Sequence, residues 1–370
     1  MIPTAVAAST YVRRLAELVG LDRGSGSLPG LGAAADLLAR WLAEAGAAVT
    51  RHPTPLGDAV VGRLGGRGAR RVLLAGHLDT VFADGTAAAR PFHVDAAGLA
   101  RGPGVGDDAG GLLAGVAALE ALRRKGPSGD GEVVLLATPD EEIGSPGSRA
   151  LLTELGGAAD VVIGLECARA DGALVSGRKG VADVVVRLRG RAAHAGIEPG
   201  AGASAALAAA RLALAFDGLN HGDVTVNTGV LRAGEKANVV AASGELRAEL
   251  RAREPAQFAC ALARMRALAA AAAVPADLTV ESPVPPWRAT AGTRRLLALA
   301  TEVGAELGMA VQHVETGGCG DANLLAAHCD AVLDGLGPVG GGDHSDAEYL
   351  DLTTVPDRVA LLAGLISRLG

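Results

Sequence analysis

Two hydrophobic textures divide the chain. In the first, apolar runs are short and continuous, at 72–75, 133–137 and 161–165, with a further run at 59–64. Continuous runs of this length predict strands buried on both faces of a parallel sheet. Around them, apolar residues at helical spacing predict helices over 10–21 (Val12, Leu15, Leu18 and Val19 on one side), 32–46, 110–124 and 147–155. A Gly/Pro/Ser/Asp loop is predicted at 126–131. Strand alternating with helix argues for an α/β layer structure.

Near residue 180 the texture changes. Segments 183–189 and 244–251 alternate apolar and charged residues in part, which suits an antiparallel sheet with one solvated face. Ala-rich helices are predicted at 203–216 and 255–273. Together these read as an α+β domain inserted into the first. The Pro-rich stretch 282–288 reads as the return linker, after which helical and strand patterns resume. No internal repeat is present.

Composition narrows the function. The 370 residues are 49% hydrophobic and 20% charged, a globular balance for roughly two to three domains at about 150 residues each. A net charge of −7 and 2% aromatic residues disfavour nucleic acid as partner. Cys167, Cys260, Cys319 and Cys329 form no CxxC pair and no disulfide framework, so a reducing, cytoplasmic setting is expected. The start of the chain lacks the basic, then apolar, pattern of a signal peptide. Runs such as 205–216 are too short to span a bilayer.

Polar residues gather where the predicted strands end, the edge at which α/β sheets bind ligands. His77 and Asp79 follow the run 72–75 and lie on one side of an extended chain. A His beside a carboxylate suits a metal ligand with its orienting partner, or a plain surface loop. Asp107 and Asp108 stand in a Gly-rich segment opening a helix. The spacing is not that of a dinucleotide loop, and two acids there would repel a pyrophosphate. They suit a cation, or the cap of a helix. Asp140, Glu141 and Glu142 follow the run 133–137. One can bind metal while its neighbour moves a proton, or all three form a solvated turn. Glu166 ends another run, and Asp343, His344 and Asp346 follow a triple glycine. Five such positions supply the inventory of a two-metal hydrolytic centre.

The segments Gly76-His77-Leu78-Asp79-Thr80-Val81, Gly106-Asp107-Asp108 with Gly110-Gly111, Asp140-Glu141-Glu142 running to Arg149, and His344-Ser345-Asp346-Ala347-Glu348-Tyr349 occur in this order. In them the chain resembles the M20 family of co-catalytic zinc metallopeptidases and amidohydrolases, of the glutamate carboxypeptidase type. The resemblance spans nearly the whole chain. It implies that His77 and Glu166 hold one zinc, Glu142 and His344 the other, and Asp107 bridges. It implies that Asp79 orients His77. Glu141 would be the general base, taking a proton from the metal-bridging water and passing it to the leaving amine. It further implies an oxyanion-stabilising His194, reaching the partner subunit's site in a homodimer, and substrate contacts at Asn238 and Arg251. Gly317 and Gly318, before a helix predicted at 322–328, would offer backbone N–H groups to a carboxylate. Ala109 stands where the family often has Lys, and Cys319 where Gly, Ser or Thr is more usual.

The expected architecture is therefore α/β. A discontinuous catalytic domain of 1–178 and 287–370 has a mixed, mostly parallel sheet sandwiched by helices. An inserted α+β lid or dimerisation domain covers 179–286. The expected cofactors are two Zn²⁺, with Mn²⁺ or Co²⁺ suited to the same donors. The expected reaction is hydrolysis of an amide or peptide bond beside a free carboxylate, releasing a C-terminal amino acid such as glutamate. N-acyl-amino-acid deacylation is the alternative, and a non-catalytic peptide-binding protein a remoter one. No nucleic-acid or membrane partner is expected.

Overall fold

The structure is a computed structural model that describes residues 8–66, 69–125 and 131–369. The loop predicted at 126–131 lies, apart from Gly131, outside the described residues. The chain divides into two compact units. The first comprises residues 1–177, 289–315 and 320–370, and the second 178–288 with 316–319.

The first unit is built on a six-stranded sheet. Its order is Ala48–Thr54, Gly57–Leu64, Glu132–Thr138, Arg71–His77, Val161–Gly164, Val332–Leu333. The last four strands run parallel and the first two are antiparallel. The three predicted continuous runs are its buried centre. The edge strand Ala48–Thr54 was not visible in the pattern: it has no buried residue and contains Pro53, which an edge tolerates because no ladder N–H is needed there. Helix Leu28–Glu44 starts four residues earlier than predicted, because Pro29 sits in its first turn, where the missing N–H costs nothing. Helix Ala8–Val19 buries Leu15, Leu18 and Val19. Helix Gly111–Lys125 is buried along most of its length and belongs to the same core.

The second unit is a four-stranded antiparallel sheet, ordered Thr225–Ala233, Ser243–Ala252, Gly180–Arg189, Ala276–Val284. Helices Ala205–Asp217 and Pro255–Ala270 share a core with its Ala182, Val184, Val186, Leu246 and Leu250. Ser204 caps the first of these helices through Leu207 N–H (3.2 Å). The strand Ala276–Val284 takes in residues 282–284 of the predicted linker. Its pairing shifts register between Glu281 and Val284, and this irregularity accommodates Pro283 at the sheet edge. No helix among the described residues is long and apolar enough to cross a membrane.

The glycine before His77 has a packing cause. A Cβ on Gly76 would stand 2.2 Å from Asp108 Oδ2 and 2.9 Å from Leu112 Cδ2. Gly76→Ala is therefore expected to lose about 1–3 kcal/mol, the usual cost of overpacking. A lowered thermal midpoint would show it, and an unchanged midpoint would contradict the packing argument.

Candidate metal centre

Strand order brings the acids together. Strands Arg71–His77 and Glu132–Thr138 are in parallel register with His77 opposite Thr138, and Ala75 faces Gly164 of the third strand. Their C-terminal ends therefore open onto one edge, with His77, Glu141, Glu142 and Glu166 at or just beyond it. Asp107 arrives on the wide-turned segment Val105–Gly110 that leads into helix Gly111–Lys125. His344 arrives on the loop after Gly340–Gly341, with its backbone in the left-handed region (φ 62°). A non-glycine residue held there marks a position fixed by its surroundings.

Two triads result, His77 with Asp107 and Glu166, and Asp107 with Glu142 and His344. Within each, one ligand atom per residue lies within 4.8 Å of the others. Asp107 divides its oxygens: Oδ1 is 2.8 Å from His77 Nε2, and Oδ2 is 3.2 Å from His344 Nε2. His77 Nε2 is 3.5 Å from Glu166 Oε1, and His344 Nε2 is 3.0 Å from Glu142 Oε2. The Nδ1 of His77 lies 3.1 Å from the Asp79 carbonyl oxygen. Only a protonated Nδ1 can use that acceptor, which leaves the Nε2 lone pair available to a cation.

Asp79 reaches His77 in two ways, through that carbonyl and through Oδ1 at 3.4 Å from Nδ1. Its carboxylate does more than the sequence indicated. Oδ1 accepts from Glu141 N–H (3.0 Å), and Oδ2 accepts from Glu142 N–H (3.1 Å) and Ser25 Oγ (2.6 Å). The same acid thus fixes the backbone of both glutamates. Two further buried acids hold this loop. Asp140 accepts from Ser148 Oγ and from Gly147 and Ser148 N–H. Asp321 accepts from Thr138 Oγ1 (2.7 Å) and from the Ser145 hydroxyl. Sequence reasoning did not assign Ser25, Asp140 or Asp321 a role in the centre. Asp140 stood in the acidic triplet and Asp321 directly after the Gly317–Gly320 stretch, but their partners are distant in sequence.

The electrostatics fit a cation. Burial works against charge on both Asp107 and His77, yet their hydrogen bonds prevail: Asp107 is held ionised by His344 and His77, and His77 is raised by Asp107, Asp79 and Glu166. His344 is pushed up to about 10 by hydrogen bonds to Asp107 and Glu142. Protons on the imidazoles supply the positive charge that the carboxylates require, and a divalent cation at either triad would replace them. Burial, followed by the charges of Glu166, Asp321 and Glu142, raises the Glu141 carboxyl well above the usual range, with His77 opposing.

The remaining candidates lie in the second unit. His194 Nδ1 accepts from the N–H groups of Gly196 (3.1 Å) and Ile197 (3.2 Å). An Nδ1 used as acceptor places the proton of the neutral ring on Nε2. Asn238 sits beside His194, since Ala195 N–H donates to the Asn238 carbonyl (3.0 Å) and His194 bridges Val239. Arg251 grips Glu249 through Nε (2.6 Å) and Nη2 (2.8 Å), and its Nη1 donates to the Gly317 carbonyl (2.9 Å). Three of its five donors are engaged inside the unit. Gly318 N–H faces Thr316 Oγ1 at 3.5 Å. In the first unit, the predicted helix 322–328 runs from Asp321 to Ala326, and Gly320 N–H is taken by Asn323 Oδ1 (3.1 Å).

Two imidazoles and two glutamates around a shared aspartate, with a half-buried glutamate beside them, are the equipment of a metal-dependent hydrolase. The chain belongs to peptidase family M20/M25/M40, whose family model matches residues 73–368. It is 34% identical over 373 residues to carboxypeptidase G2 of Pseudomonas sp. (strain RS-16), covering 97% of this chain and 89% of that one. The protein is thus a metallopeptidase, a hydrolase acting on peptide bonds. Its fold is similar to a tripeptidase from Staphylococcus aureus (TM-score 0.83, 22% identity, 98% of each chain). It is also similar to an M20 family metallo-carboxypeptidase from Sulfolobus solfataricus (TM-score 0.76, 14% identity, 96% of this chain and 98% of that one).

Asp321 yields a pH prediction. Burial raises its carboxyl from 3.8 to about 6, against the lowering effect of Ser145 and Thr138. The folded state therefore binds a proton that the unfolded chain releases between pH 4 and 6, so stability falls as pH rises through this window. Relative to Asp321→Asn, the wild type should lose up to about 3 kcal/mol between pH 4 and 7, at 1.36 kcal/mol per unit. Denaturant midpoints of both proteins across this range would measure it; a constant offset would contradict the assignment.

Proposed function

We propose that the protein is a dizinc hydrolase that cleaves an amide or peptide bond beside a free carboxylate and releases a C-terminal amino acid such as glutamate. The observation that carries this reading is the division of the two Asp107 oxygens between two otherwise separate triads. His77 and Glu166 would hold one ion, Glu142 and His344 the other. Bound there, the ions would polarise the scissile carbonyl and lower the pKa of water. Glu141 takes a proton from the attacking water and delivers it to the leaving nitrogen as the C–N bond breaks. Its raised affinity for protons suits that shuttle. His194, protonated at Nε2, would donate to the developing oxyanion. Asn238 and Arg251 would contact substrate, Arg251 through the donors not engaged by Glu249 and Gly317, with Gly317 and Gly318 lining the carboxylate. The 34% identity to carboxypeptidase G2 across 97% of the chain supports attack on a carboxyl-terminal residue, and glutamate as that residue rests on the motif resemblance to the glutamate carboxypeptidase type. The catalytic role goes to 1–178 and 287–370 and the lid role to 179–286.

A homodimer through the second unit is part of this proposal. Leu207 and Leu214, seven residues apart on one face of helix Ala205–Asp217, are 59% and 75% exposed. Leu231 is exposed on Thr225–Ala233, an edge strand of the sheet. An apolar helix face beside an edge strand suits a self-complementary contact. The four cysteines form no disulfide, which supports a cytoplasmic setting.

Metal analysis of the isolated protein, with hydrolysis assayed on the same sample, tests the chemistry. About two ions per chain and release of glutamate from a glutamate-terminated amide are expected. Activity on N-acetyl amino acids alone would shift the reading to a deacylase, and failure to take up Zn²⁺ would overturn it. Glu141→Gln should keep its metal while turnover falls by about 10²–10⁴-fold; an active variant would remove Glu141 as base. For assembly, Leu214→Arg should convert a dimer into a monomer in sedimentation. A monomeric wild type would overturn the dimer.

A further inference from the structure

Arg23 and Glu348 are both buried, 1% and 2% exposed, and neither is a candidate ligand. They meet at one residue, Gly104. Arg23 Nη2 donates to the Gly104 carbonyl (3.0 Å), while its Nη1 donates to the Leu78 carbonyl, between His77 and Asp79. Glu348 Oε2 accepts from Gly104 N–H (2.8 Å), and its Oε1 accepts from Gly106 N–H (2.9 Å) and Asp107 N–H (3.1 Å). Glu348 lies four residues after His344, on the same loop. The Gly104 residue is thus held through its oxygen by a cation and through its nitrogen by an anion. It also requires glycine: its φ is +69°, and a Cβ would stand 2.4 Å from Thr80 Cγ2 and 2.5 Å from Arg23 Nη2.

The arrangement has a direction. One arm runs from Gly104 through Arg23 to the His77 loop, and the other through Glu348 to the His344 loop. Asp107 stands between them with its own N–H in the grip of Glu348. We propose that Arg23 and Glu348 act as a pair of positioning residues that set Asp107 between the two triads, so that its two oxygens serve both sites at once. A planar guanidinium is suited to this, because two carbonyls at different positions match its fork and a lysine ammonium would not hold both in fixed geometry. A carboxylate is suited likewise, since it offers only acceptors to three N–H groups. Neither residue touches the reacting atoms. The inference rests on the two-metal reading above.

The test is a double-mutant cycle on metal binding. Co²⁺ would be titrated against a competing chelator into wild type, Arg23→Met, Glu348→Gln and the double variant. The electron paramagnetic resonance of the loaded proteins would report the coupling between the two ions, with kcat and KM measured alongside. Each single variant is expected to bind metal about 10–100-fold more weakly, with weakened coupling and with kcat reduced more than KM. The double variant should be no worse than the weaker single one, because both arms act on one residue, Gly104. Single variants with wild-type affinity and coupling, or losses that multiply in the double variant, would overturn the proposal. Should Arg23→Met fail to fold, Arg23→Lys takes its place: the same loss is expected, and full affinity with lysine would overturn the role of the fork. A wild type holding one ion would sink the dinuclear reading. The clamp would still be judged by the affinity of that ion, since Asp107 serves either triad.

Discussion

The division of one carboxylate between two imidazoles is the constraint from which the rest of the centre follows. Asp107 meets His77 through one oxygen and His344 through the other. Those histidines are 267 positions apart (344 − 77), so the bridge closes only if distant loops are held to within fractions of an ångström. Side-chain contacts within the triads cannot do this alone, because acids crowded in one space repel each other. The fold supplies it from outside the triads. Asp79 fixes the backbone of Glu141 and Glu142, Asp140 and Asp321 fix the loop that follows, and Glu348 fixes the segment of Asp107. Each outer acid is satisfied mainly by backbone N–H or hydroxyl donors, so it adds order to the centre without taking a place in either triad.

The sequence showed the inner part of this arrangement and missed most of the outer part, for a physical reason. The candidate ligands follow apolar strand runs, and runs such as 72–75 and 133–137 are legible because a strand buried on both faces leaves no room for polar residues. His77, Glu142 and Glu166 inherit their prominence from these strands. Arg23, Ser25 and Asp321 carry no such mark. They lie in loops or at a helix start, and their partners are 55, 54 and 183 positions away. Nothing local distinguishes Asp321 from a helix cap. The strand Ala48–Thr54 escaped for a related reason: an exposed edge strand needs neither continuous nor alternating apolar residues.

The second unit was legible in class but less so in detail. Alternation in 183–189 and 244–251 indicated a half-solvated antiparallel sheet, and the sheet has that form. The state of its polar residues was not readable. The motif around His194 drew attention to the ring, whereas the structure shows which nitrogen carries the proton, because Gly196 and Ile197 both donate to Nδ1. Arg251 looked like one more charge on an alternating strand, yet it is tied to both Glu249 and Gly317. An arginine restrained in this way has lost part of its side-chain entropy before any ligand arrives.

Preorganisation of this kind carries a stability cost, and the acids show where it falls. Burial raises the carboxyls of Asp108, Glu141 and Asp321, so burial works against their charged forms while the fold keeps them at the strand ends. A chain selected only for stability would replace such groups with apolar residues of similar volume. Here the surrounding core offsets the cost: Leu73, Leu74, Leu112, Leu135 and Ile163, all close to fully buried, lie under the same strand ends. The apolar runs that made the strands legible thus have a second role. They supply the burial free energy that allows a dense cluster of ionisable groups to persist at the ends of those strands.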